Sequence, residues 1–165
     1  MDWFRPKPQL GRSRLPAAAA GCLLIRAKGH VSEQRAKFAG AAEGAKALIY
    51  VVDDEAMLLE LAVVILEPLG YQIQTFRDPE SAVQSFTRAR PRPVLLITDF
   101  AMHQMNGMAL IEACRRVEPS QKILMISGTV GPEVFNNAAV KPDRFLAKPY
   151  QARQLIEMVK SLLKS

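Results

Sequence analysis

Five polar residues in this chain follow short apolar runs and carry the side chains that phosphoryl chemistry needs. Asp53 and Asp54 come after ALIYVV at 47–52, Asp99 after VLLIT at 94–98, Ser127 after KILMI at 122–126 and Lys148 after RFLA at 144–147. Three carboxylates gathered in one pocket would repel by an amount on the order of kcal/mol even at a high effective dielectric. A hard divalent cation offsets that cost, and Mg²⁺ binds through one or two carboxylates, water and phosphate oxygens. Asp99 is then the candidate nucleophile, because a carboxylate can attack phosphorus and form an acyl phosphate. Lys148 would bring positive charge to the developing phosphoryl oxygens, and Ser127 a hydroxyl donor. Singly these signals are weak: Asp54 after an apolar strand reads more readily as a helix cap.

The surrounding pattern raises their weight. Ala47–Val52, Val94–Thr98 and Lys122–Ile126 are apolar runs suited to buried strands, Tyr71–Phe76 alternates like a strand, and Arg144–Ala147 is a fifth short run. Helical length follows each: Glu55–Leu69 ending at Gly70, Asp78–Arg88 with a capping Asp before Pro79, and a helix opened by Gly107 with Leu110, Ile111, Cys114 and Val117 as its stripe. A helix is expected over Pro132–Ala139, and a last one carries Leu155, Ile156, Val159, Leu162 and Leu163 on one face. Five strand–helix alternations with strands apolar on both faces predict an α/β fold with a parallel sheet covered by helices. Right-handed crossovers make it doubly wound, with its site at the carboxyl ends of the strands, where all five polar residues fall. Cys114 reads as core packing.

The segment 47–165 resembles the receiver domain of two-component response regulators, the family that includes the chemotaxis regulator. The matching pieces are VVDDE at 51–55, ITDFAMHQMNG at 97–107, MISG at 125–128 and FLAKPY at 145–150. The resemblance implies a flavodoxin-like five-stranded sheet of order 2-1-3-4-5 with helices on both faces. It implies phosphorylation of Asp99 by a sensor histidine kinase or histidine phosphotransfer protein. It also implies a Mg²⁺ site from Asp53, Asp54, Asp99 and the backbone carbonyl of Ala101. Ser127 is then the switch hydroxyl, Phe145 the switch aromatic, Lys148 the partner of the acidic cluster or phosphate, and Lys148-Pro149 a cis peptide. The family's fourth and fifth helices offer a face through which two copies could pair. His103 stands where the family usually has Pro, and a lone loop histidine reads as solvated, without a chemical role.

The formal charge of +6 resides wholly in residues 1–46, which hold nine Lys/Arg against three acids; the remainder carries 13 of each sign. The domain at 47–165 therefore gives no charge argument for nucleic-acid binding. Residues 1–46 form a basic leader without sustained hydrophobic period, expected to be largely disordered with a weak helix at 32–46, or else the product of a start assigned too far upstream. Nothing is long enough to span a membrane, and the two cysteines lack metal-ligand spacing, so a reduced, cytoplasmic setting is expected. The chain ends one helix after the Lys-Pro pair, so a stand-alone regulator signalling by protein contact is the leading expectation. A phosphorylation-independent interaction domain is one alternative. The other is a Mg²⁺-dependent phosphatase with an Asp nucleophile, which lacks its second Asp because Ala101 occupies that position.

Overall fold

The computed structural model describes residues 46–164. The reading of the basic leader lies outside the described residues. Strands β1 (Leu48–Val52), β2 (Gln72–Phe76), β3 (Leu95–Asp99), β4 (Ile123–Ser127) and β5 (Arg144–Ala147) form one sheet. Its order is β2-β1-β3-β4-β5, and every neighbouring pair is parallel. All of β3 and β4 is buried, which is why those segments are mostly apolar runs, whereas in edge strand β2 only Ile73 and Phe76 are half-buried and the rest is exposed.

Helices α1 (Ala56–Leu66) and α4 (Ala152–Lys164) cover one face of the sheet, and α2 (Pro79–Arg88) and α3 (Gly107–Val117) cover the other. On the first face Leu59, Leu66, Leu155 and Val159 pack against Ile49, Val51, Ile97 and Leu124. On the second, Phe86, Leu110, Ile111 and Cys114 pack against Tyr50, Leu96, Ile123 and Met125. Each such large side chain contributes about 1.5–3 kcal/mol by leaving water. Cys114 is one of these core residues, and burial pushes its thiol pKa up to about 12, so it stays an unreactive thiol.

The local signals explain most element ends. Asp78 accepts hydrogen bonds from the Glu80 and Ser81 N–H groups, capping α2 ahead of Pro79. Asn106 caps α3 through the Ala109 N–H. The turn Glu67–Leu69 closes α1 in a 3₁₀ conformation, and Gly70 follows at φ 91°, a backbone region that favours glycine.

One expectation fails. The segment expected to be a helix over 132–139 forms only a 3₁₀ turn, Pro132–Phe135, and then runs irregularly to β5. Asn136 and Asn137 compete with a helical backbone through their own side chains. The stretch between Pro132 and Pro142 is too short for nucleation to be offset, and it presents only Phe135 as a buried anchor while Val134 stays exposed. The face expected from a fourth and a fifth helix, through which two copies could pair, is therefore not formed as a helix pair. The described residues contain four α-helices.

Candidate functional site

The parallel register brings the carboxyl ends of four strands to one edge. Thr98 pairs with Val52, Asp99 with Ile126 and Ser127 with Ala147, so Asp53, Asp99, Ser127 and Lys148 end or follow adjacent strands at one level. Asp53 follows β1 and Lys148 follows β5; Asp99 and Ser127 are the last residues of β3 and β4. The Lys148 N–H donates to the Ser127 carbonyl at 2.7 Å, which fixes where the lysine leaves the sheet, and Lys148-Pro149 is cis as the resemblance implied.

Lys148 Nζ lies 3.0 Å from Asp53 Oδ2 and 2.6 Å from Asp99 Oδ1. Both carboxylates are only 6% exposed. Each has one further donor: the Glu55 N–H reaches Asp53 Oδ1 at 2.9 Å, and the Ala101 N–H reaches Asp99 Oδ2 at 2.6 Å. Two buried anions thus share one ammonium. Burial raises the Asp53 pKa, and the Asp99 charge acts in the same direction; the Glu55 N–H and Lys148 offset this only in part. Burial works to lower the Lys148 pKa, but the hydrogen bonds and charges of Asp99 and Asp53 together outweigh it and hold it above the ordinary lysine value.

The third carboxylate stands apart from this pair. The Asp54 backbone carbonyl accepts from Arg77 Nε and Nη2 at 3.3 and 3.2 Å, and its Oδ2 meets Nδ1 of His103. His103, expected to be solvated and without a chemical role, has its ring largely in solvent, with its Nδ1 against Asp54 Oδ2. The Ser127 hydroxyl is buried and turned toward the following loop, where it accepts from the Thr129 and Val130 N–H groups at 3.2 and 3.3 Å. Phe145 is half-buried on β5 and meets Phe135 at a 50° tilt with ring centroids 5.8 Å apart; Phe135 in turn meets Phe100 edge-on at 6.1 Å. The 3₁₀ turn thus supplies the ring against which Phe145 rests.

Gly107 was legible only as a helix opener. Its N–H donates to the Phe100 carbonyl at 2.9 Å, and a Cβ on it would overlap the Asp99 backbone carbonyl and press on Met125 Cε at 3.0 Å. The glycine lets α3 start directly beneath the Asp99 backbone. Gly107→Ala is expected to lower stability by about 1–3 kcal/mol, the cost typical of overpacking, because backbone cannot rotate away as a side chain does. A urea unfolding midpoint at the wild-type value would refute this.

Among the described residues no three His, Cys, Asp or Glu groups stand close enough to hold a metal by themselves. The donor set nevertheless suits Mg²⁺. Asp53 and Asp99 supply hard oxygens, one shared ammonium leaves net negative charge, and Mg²⁺ needs few protein ligands because it retains water. Asp54 and the Ala101 carbonyl are the further oxygens nearby in sequence.

The response regulator receiver domain model matches residues 49–160, and the chain belongs to that family. It is similar to the response regulator receiver protein CpdR of Brucella abortus, 28% identical over 123 residues that make up 70% of this chain and 95% of CpdR. It is 30% identical over 119 residues to the nitrogen assimilation regulatory protein NtrX of Azorhizobium caulinodans, covering 71% of this chain and 26% of NtrX. The chain thus spans about a quarter of NtrX, and about half of such relatives as the transcriptional regulatory protein CssR of Bacillus subtilis.

Among solved structures it resembles the chemotaxis protein CheY4 of Vibrio cholerae, with TM-score 0.65 and 26% identity over 72% of this chain and 99% of CheY4. It also resembles TrrA of Thermotoga maritima, solved in complex with Mg(2+)-BeF, with TM-score 0.63 and 27% identity over 72% of this chain and 99% of TrrA. Residues 49–160 are thus a receiver domain of the two-component signalling type. Among the described residues no helix is long and apolar enough to cross a membrane.

Proposed function

We propose that Asp99 accepts a phosphoryl group from a histidine kinase or histidine phosphotransfer protein, and that the chain signals by contact with a protein target. The observation that carries this reading is Lys148 Nζ held between Asp99 and Asp53 at the carboxyl edge of the sheet. An Asp99 carboxylate oxygen forms a bond to phosphorus as the P–N bond of the phosphohistidine breaks, and the electron pair leaves with the imidazole. Lys148 then has an anionic phosphoryl oxygen to pair with in place of the carboxylate charge it neutralises now. The Ala101 N–H keeps the carboxylate oriented. Mg²⁺, held by Asp53, Asp54, Asp99 and the Ala101 carbonyl, would supply further positive charge at those oxygens.

Phosphorylation adds roughly −1.5 to −2 charge and three acceptor oxygens. Ser127 reaches one of them only by releasing the Thr129 and Val130 N–H groups, which loosens the start of the loop carrying Phe135. Phe145, now resting on Phe135, is then free to turn inward. This is a shift between two arrangements whose balance the phosphoryl group changes. The reading expects a cytoplasmic protein, since the phosphodonor is made there.

Incubation of the full chain with an acyl phosphate of low mass and Mg²⁺ tests the proposal. A hydroxylamine-labile phosphoryl group should appear and map by mass spectrometry to the peptide containing Asp99. The absence of such a group, or its location elsewhere, rejects it.

A further inference from the structure

His103 lies on the β3–α3 loop and Asp54 on the β1–α1 loop, 49 residues apart, and among the described residues their side chains form a link across the mouth of the site between those loops. The contact of Nδ1 with Oδ2 takes up one oxygen of the carboxylate that stands outside the Lys148 pair. Arg77 also donates to the Asp54 carbonyl, which tethers the main chain at that position. We propose that His103 is a latch on Asp54 that a divalent cation must open, so that this histidine sets the cation affinity of the site. The inference rests on the Mg²⁺ reading above and adds a positioning residue to it.

Two observations make the latch able to open. The His103 side chain is 91% exposed, so no packed neighbours hold the ring in place. A cavity of about 580 Å³, lined by Asp54, Glu55, Arg77, Asp78, His103 and Gln104, gives it space to swing aside. A protein whose binding-competent arrangement is only partly populated binds with an affinity reduced by that fraction. An exposed pair of this kind is weak, so the expected reduction is about two- to fivefold.

Calorimetric titration of the unphosphorylated full chain with MgCl₂ tests this without any turnover. His103→Ala is expected to bind Mg²⁺ about two- to fivefold more tightly than wild type, with an unchanged thermal midpoint. His103→Asn, whose amide places a donor where Nδ1 stands, is expected to return affinity toward the wild-type value. Equal or weaker binding by His103→Ala overturns the latch while leaving the Mg²⁺ site in place. Failure of both wild type and His103→Ala to bind Mg²⁺ removes the cation reading, and the latch with it.

Discussion

Asp99→Asn is expected to lose the phosphoryl label completely while remaining folded. The amide has nearly the same shape as the carboxylate, so the burial beneath it is preserved, but it is not a nucleophile toward phosphorus. Its effect on stability follows from the shared ammonium. In the wild type, Lys148 divides its charge between Asp53 and Asp99, and Asp53 has a raised pKa, first through burial and last through the Asp99 charge. A carboxyl with a raised folded-state pKa makes stability fall as pH rises from its unfolded value, about 3.8, through its folded value. Removing the Asp99 charge leaves Lys148 to Asp53 alone and shrinks that fall. The urea midpoint of Asp99→Asn at neutral pH should therefore equal or exceed that of wild type, and its decline across the acidic window should be shallower. Retained label at residue 99, or loss of cooperative unfolding, contradicts this account.

Lys148→Met changes the same cluster in the opposite sense. Asp53 and Asp99 remain buried, and their common cation is gone. Breaking a buried ion pair from one side costs about 3–5 kcal/mol; because water reaches the ammonium edge, we expect about 2–3 kcal/mol in EDTA at neutral pH. The loss should depend on pH with a definite sign. Without the ammonium, Asp53 loses the charge that offsets its burial and its pKa rises further in the folded state, so its protonation relieves the repulsion and the gap from wild type closes as pH falls through that raised range. On the alkaline side, the stability that Lys148 gives the wild type is fully present below its ordinary value of 10.5 and is lost as pH rises through its higher folded value. The variant has no such loss. Labelling of Asp99 in the variant should slow on the order of 10²-fold, the effect typical of removing one preorganised donor from a developing anion. Urea titrations across pH, with labelling time courses, check both parts; a pH-independent gap or an unchanged rate would rule the account out.

The candidate site residues were legible before the structure because Asp53, Asp99, Ser127 and Lys148 each follow a short, mostly apolar run, with Asp54 next to Asp53. In a parallel sheet such runs are strands, and their carboxyl ends converge on one edge whatever the loops do. Asp99 and Ser127 proved to be the last strand residues rather than the first loop residues, a shift of one position that leaves the side chains at the same edge. The cis Lys148-Pro149 bond followed from the family resemblance and is present; Phe145, which the resemblance implies is the switch aromatic, lies in β5. The helix expected over Pro132–Ala139 is only the 3₁₀ turn Pro132–Phe135; the competing effect of Asn136 and Asn137 is weak residue by residue and not legible as a helix stop.

By itself, the amino-acid sequence determined the strand cores, the capped start of α2, the glycine start of α3, and the set of acidic, hydroxyl and basic groups at the sheet edge. These depend on local polarity and periodicity, which act over a few residues. Only the tertiary structure decided how the charges are shared: Asp53 and Asp99 on Lys148, Asp54 turned to His103, and Gly107 pressed under the Asp99 carbonyl. Asp53 and Lys148 lie 95 residues apart, and Asp54 and His103 lie 49 apart. Which carboxylate takes the ammonium and which the imidazole depends on loop geometry and burial that exist only once the sheet has formed.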